Sequence, residues 1–167
     1  QTVLLHPVIR ESILRWAWTA EFQTAALQVM DTIRTQLKLE SHKKEHHKNE
    51  KLFLWLQLAE NVLTGCNGEP SLTESDKYKK LAYQTLICMP RDKETYILKQ
   101  ADILLRDPAG FSSRAVLRLY DMVVSVYEEN GDLAAAYDKI MQAQEFVHRC
   151  QDDAITGQYY FMLVGFY

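Results

Sequence analysis

Two histidines four residues apart, His42 and His46, have the spacing in this sequence that comes nearest to a metal site. On a helix, residues i and i+4 share a face, and two imidazoles placed there can share an ion. Their surroundings argue against it. Lys43, Lys44, Lys48 and Lys51 crowd the pair, and no carboxylate or cysteine is convincingly placed to join them. Segment 42–51 therefore reads as a solvated helix end and loop. Gly65-Cys66-Asn67-Gly68 offers two glycines for a phosphate loop. It lacks the strand before it and the Lys-Ser/Thr after it, so it reads as a turn. Cys66, Cys88 and Cys150 are odd in number and irregular in spacing, with no C-x-x-C pair. Neither a zinc site nor a disulfide framework follows, and reduced thiols suit a cytoplasmic compartment.

The remaining candidates also have structural explanations. His6 stands before a helix, where it caps or packs. His148 falls in a last turn, where a cation favours the helix dipole. Asp152-Asp153 has carboxylates for a cation, but helix N-capping accounts for the pair. Trp16, Trp18, Trp55 and nine tyrosines sit mostly at helical spacing, the mark of core. There is no G-x-S-x-G, H-E-x-x-H or P-loop. The sequence thus predicts no catalytic residue, no metal and no cofactor. A net charge of −3 gives no basic footprint for nucleic acid, and no apolar run is long enough to span a bilayer.

The elements that must position any site are helices. Glycine and proline are scarce and fall at the ends of apolar-periodic stretches. A first helix is predicted from about Pro7 to Trp18, after a short extended lead-in. A second begins near Thr19 with the stripe Phe22, Ala25, Ala26, Val29, Met30, Ile33 and Leu37. The third carries Leu52, Phe53, Trp55, Leu56, Ala59, Val62 and Leu63. A capping box of Ser71 with Glu74, or else Thr73 or Ser75, starts the fourth, with Tyr78, Leu81, Ala82, Leu86 and Ile87. The fifth carries Ile97, Leu98, Ala101, Leu104 and Leu105. Ser112 or Ser113 caps the sixth, with Val116, Tyr120, Val123, Val124 and Tyr127. At Asn130-Gly131-Asp132, Gly131 can adopt positive φ to end this helix and Asp132 can cap the seventh. The seventh has Leu133, Ala136, Tyr137, Ile140, Ala143 and Val147. Asp152 or Asp153 starts an eighth.

The chain repeats with a period of about 42 residues. Ala59, Ala101 and Ala143 are equally spaced, as are Leu56, Leu98 and Ile140, and Leu63, Leu105 and Val147; Tyr78 pairs with Tyr120. A small residue at one fixed place lets a partner helix approach closely. The pairs span about 20–64, 73–106 and 113–149, with a partial copy over 153–167. The predicted fold is all-α: about eight helices in antiparallel hairpins, stacked as a right-handed superhelix.

The best copy resembles a tetratricopeptide repeat: Tyr120-x2-Val123-x3-Tyr127, Asn130-Gly131-Asp132, then Ala136-x3-Ile140-x2-Ala143. It departs from that family in its longer period and in Val124, where the first helix of the family carries glycine. A second resemblance covers eight residues. Leu4-Leu5-His6-Pro7-Val8-Ile9-Arg10-Glu11 is similar to the segment that closes the winged-helix domain of STAND-type (NB-ARC-like) signalling ATPases, where a helical array follows. Residues 1–19 would then be the end of that winged-helix-like segment and the first helix.

These resemblances imply a non-catalytic interaction module, acting as sensor or scaffold in a larger bacterial signalling protein. The absent initiator methionine and the apolar last helix suit an excised piece of such a protein. The alternatives are a purely structural helical scaffold and the peptide- or inducer-binding domain of a transcriptional regulator. A protein or peptide ligand would meet the concave face lined by the first helix of each pair, at Lys77, Lys80, Gln84, Arg114 and Arg118. The aromatic helix with Tyr159, Tyr160, Phe161, Phe166 and Tyr167 offers a surface for self-association.

Overall fold

The computed structural model describes residues 20–42, 50–66 and 70–167. The predicted helix over 7–18, the segment 4–11, Trp16 and Trp18 lie outside the described residues, as does His46 of the histidine pair. The described chain is all-α, with no strand among the described residues. Its eight helices are α1 (Ala20–Ser41), α2 (Glu50–Gly65), α3 (Pro70–Thr73), α4 (Asp76–Cys88), α5 (Glu94–Arg106), α6 (Ser113–Glu129), α7 (Leu133–Cys150) and α8 (Asp153–Phe166). They fall into two compact units, Gln1–Cys88 and Met89–Tyr167. The boundary lies between the two helices of the predicted 73–106 pair.

In the first unit α1, α2 and α4 pack on one another. The seam of α1 is Met30, Ile33 and Leu37; that of α2 is Leu56, Ala59 and Leu63. Both are spaced three and four apart, so one narrow row faces the neighbours. The wider predicted stripes shrink accordingly: Val29 is 45% exposed and Phe53 64% exposed. Each lies on the flank of its seam. α4 touches both α1 and α2, and so buries two rows: Tyr78, Leu81, Ala82, Thr85 and Leu86. Thr85 is polar yet fully buried, because its hydroxyl donates to the Leu81 carbonyl at 2.8 Å. The start of α4 is settled by α3. Pro70 opens that single turn and the buried Leu72 pins it. The cap of α4 therefore falls to Ser75, whose Oγ accepts from Tyr78 N–H at 3.2 Å, and not to Ser71 with Glu74.

In the second unit the α6–α7 hairpin is closed by its turn. Gly131 has φ +72. Its N–H donates to Glu128 O at 3.0 Å, and Asp132 N–H to Tyr127 O at 2.9 Å. This pair of bonds satisfies the last carbonyls of α6 in the Schellman arrangement. Asp132 then caps α7, its Oδ1 accepting from Ala135 N–H at 3.1 Å. Ser112 caps α6 and Asp152 caps α8. One core joins Val116, Leu117, Tyr120 and Val124 of α6 to Ala136, Ile140, Ala143 and Val147 of α7, and to Ile155, Tyr159 and Met162 of α8. α8 packs on both helices of the hairpin, as α4 does in the first unit. α6 carries a further buried row, Leu119, Val123 and Val126, and α5 also packs on this helix. Two predicted α7 core residues are exposed, Leu133 at 58% and Tyr137 at 44%. Both lie in the first turns, beside the Ala136–Ile140–Ala143 row.

Ala59, Ala101 and Ala143 are each 0% exposed. The rows around them differ. Leu56 and Leu63 flank Ala59, and Ile140 and Val147 flank Ala143, at −3 and +4. Around Ala101 the buried neighbours are Ile97 and Leu104, at −4 and +3. α5 thus buries a face rolled by part of a turn from that of α2 and α7.

Candidate functional site

Arg114, Leu117, Arg118 and Asp121 recur at i, i+3, i+4 and i+7, so they form one stripe along α6. Gln158, Phe161 and Met162 form the matching stripe on α8. The two stripes line an open cleft of about 430 Å³, within the range of ordinary ligand sites, roughly 300–1,000 Å³. Its floor is apolar: Leu117 is 4% and Met162 8% exposed, and both belong to the core. One wall carries the two guanidiniums and the other the ring of Phe161, which is 83% exposed. Neither the Arg114 nor the Arg118 side chain forms a hydrogen bond or ion pair with another described residue.

The positive charge is placed against the grain of the helix. Arg114 lies in the first turn of α6, which holds no acidic residue. The N-terminal end of a helix already bears partial positive charge, and a cation there costs about 0.3–1 kcal/mol. An anion held by Arg114 and Arg118 would relieve that repulsion while pairing with both guanidiniums.

The other predicted partner-binding residues sit on α4, in the first unit. Lys77 Nζ lies 2.9 Å from Asp31 Oδ2 of α1. This hydrogen bond holds the Asp31 carboxyl below its ordinary range, helped by the charges of Lys77 and Arg34. Lys80 pairs with Asp76 at 3.5 Å, and the Gln84 amide donates to Cys88 Sγ at 3.3 Å. All three already have partners within the chain. The structure thus brings Arg114 and Arg118 together in one cleft, while Lys77, Lys80 and Gln84 are occupied elsewhere. Asp121, Gln158 and Met162 escape sequence reading, because a cleft's second wall is fixed by which helices pack side by side. The i, i+3, i+4, i+7 run of Arg114, Leu117, Arg118 and Asp121 was the one available signal.

A second cavity, of about 350 Å³, lies among α5, α6 and α7, with Leu98, Leu105, Val123 and Tyr127 as its apolar part. Part of its charge is matched within the chain. Lys139 Nζ stands 3.8 Å from Asp102 and donates to Gln142 at 3.1 Å, and Asp102 also holds Arg106. Lys99 also lines it, and its ammonium is not ion-paired with another described residue.

Buried tyrosines do not supply a base. Tyr78, Tyr120 and Tyr159 are each held protonated to higher pH than usual, chiefly by burial. Burial likewise raises the Cys66 thiol, which disfavours the reactive thiolate. None of the three cysteines is in a disulfide. Among the described residues no group of three potential metal ligands comes together, and no helix is long and apolar enough to cross a membrane. The exposed His42 contacts its own helix through the Lys38 carbonyl. No family model, curated protein or solved structure matches this chain.

Proposed function

We propose that this chain is a non-catalytic interaction module whose α6–α8 cleft captures an acidic segment of a protein or peptide. The observation that carries this is the pair of guanidiniums, Arg114 and Arg118, that no other described residue engages, above an apolar floor and beside the exposed Phe161 ring. Arginine suits the task, because its planar fork meets a carboxylate through two parallel hydrogen bonds. The ring of Phe161 adds apolar area that a ligand would cover. Exposed ion pairs contribute about 0.2–1 kcal/mol each. Most of the affinity must then come from the ring and the floor.

Three features support the wider setting: the 42-residue period, the buried Ala59, Ala101 and Ala143, and a third helix packed on a hairpin in each unit. We read the chain as a tetratricopeptide-like array. On the segment Leu4–Glu11 we place it in a cytoplasmic, STAND-type bacterial signalling protein. A GxxxxGK[ST] loop upstream in the parent sequence supports that placement; its absence removes it.

The cleft is tested by titrating the chain with fluorescein-labelled acidic peptides and following anisotropy. Arg114→Ala and Arg118→Ala should each weaken binding by about two- to fivefold at low salt, and added salt should narrow the difference. Binding indifferent to both substitutions would move the site elsewhere. A second reading is self-association through α8, favoured by Tyr160, Phe161, Val164 and Tyr167, which are 58–87% exposed. Sedimentation equilibrium separates the two, since Phe161→Ser and Val164→Ser would dissociate a dimer that forms there.

A further inference from the structure

Asp121 gives the α6 stripe a polarity that an acidic ligand alone leaves unused. Along the helix axis, the midpoint of Arg114 and Arg118 lies five residues from Asp121, a rise of about 7–8 Å. In an extended peptide, residues i and i+2 point to the same side and stand about 6.5–7 Å apart. The residue between them points the opposite way. With i and i+2 turned toward α6, that middle side chain faces α8, whose Phe161 and Met162 line the cleft.

We infer that the α6–α8 cleft selects an extended acidic–apolar–basic tripeptide core. The acidic carboxylate lies between Arg114 and Arg118, the basic group at Asp121, and the central apolar side chain against Phe161 and Met162. The inference rests on the peptide-capture reading above and deepens it by naming the ligand's sequence class. Charge complementarity is its basis. Asp121 is exposed, and its carboxylate has no hydrogen bond or ion pair with another described residue. It therefore offers an anion at the distance where an extended chain delivers its next same-side group. Gln158, on the opposite wall, supplies an amide that can both donate to and accept from the peptide backbone.

The test uses the full chain and four blocked heptapeptides with Gly-Ser flanks, whose cores are Glu-Phe-Lys, Glu-Phe-Glu, Lys-Phe-Lys and Glu-Gly-Lys. The expected order puts Glu-Phe-Lys first. Glu-Phe-Glu should bind about two- to fivefold more weakly, from one exposed like-charge contact. Lys-Phe-Lys should be weaker still, and Glu-Gly-Lys should lose the contribution of the ring. Asp121→Lys should reverse the first two peptides, and Asp121→Asn should bring them level. Circular dichroism checks that each variant stays helical.

If Glu-Phe-Glu binds as well as Glu-Phe-Lys, or Asp121→Lys leaves the order unchanged, the acidic–apolar–basic assignment is wrong. Peptide capture survives that result if Arg114→Ala still weakens both peptides. If none of the four binds, both the assignment and the capture reading fall.

Discussion

Replacing Ala143 by leucine adds three carbon atoms at a position with no solvent exposure. Ala143 shares its core with Ile140 and Val147 on α7 and with Val116, Leu117, Tyr120 and Val124 on α6. Protein cores are packed about as densely as organic crystals, so the larger side chain must push α7 and α6 apart or leave its preferred rotamer. Such overpacking costs about 1–3 kcal/mol. For a chain of this length, each kcal/mol moves Tm by about 2–4 °C. Ala143→Leu should therefore lower the midpoint by about 4–8 °C, taking 2 kcal/mol as the central cost. The control is Ala134→Leu, on the same helix but exposed. Leucine and alanine have similar helix propensity, so this change should stay within about 0.5 kcal/mol. Both variants are melted under identical conditions and followed by ellipticity at the helix band. Equal midpoints for the two would show that Ala143 is not a close helix–helix contact, and the packing role given to the spaced alanines would fail with it.

Two backbone predictions and one electrostatic prediction accompany it. A Cβ on Gly131 would meet nothing within 4 Å, so Gly131→Ala should cost only the left-handed backbone strain, about 1–2 kcal/mol, with Gly131→Asn costing less. Gln151 ends α7 at φ +51. There Gln151→Gly should stabilise the chain by about 1 kcal/mol in urea denaturation, and a loss of stability would contradict that backbone geometry. The Asp31 carboxyl, ordinarily near 3.8, is lowered by Lys77. A lowered folded pKa means the stabilisation is present above the unfolded value and is lost as pH falls through the folded one. Wild type should therefore exceed Lys77→Ala slightly at pH 6, by a few tenths of a kcal/mol for so exposed a pair, and the gap should close below about pH 4.

Much of the fold was legible because it depends on local chemistry. Gly131 and Asp132 read as stop and start, since a left-handed residue followed by a short acid is what a helix–turn–helix junction requires. The equal spacing of Ala59, Ala101 and Ala143 pointed to buried small residues, and all three are buried. What escaped depends on how many neighbours each helix has. α6 packs on α5 as well as on α7 and α8, so Leu117, Leu119 and Val126 are buried beyond the one predicted stripe. Val29, Phe53, Leu133 and Tyr137 err the other way, as apolar residues that stay 44–64% exposed, although Tyr137 keeps a ring contact with Phe166 of α8. Of the caps the sequence offered for α4, Ser75 serves and Ser71 does not, because α3 consumes one turn. Among the site residues, Arg114 and Arg118 could be read as one polar face. Lys77, Lys80 and Gln84 looked equivalent on paper, yet neighbours within the chain already hold them.

The central claim is that the α6–α8 cleft is where a ligand binds. Amide chemical-shift mapping of the isotope-labelled chain, titrated with the Glu-Phe-Lys peptide, tests it most directly. The account predicts shifts concentrated on Arg114–Asp121 and Gln158–Met162, saturating together and needing roughly 4- to 25-fold more peptide in the combined Arg114→Ala and Arg118→Ala variant. Shifts centred on α4, on the cavity among α5, α6 and α7, or scattered without saturation would contradict it.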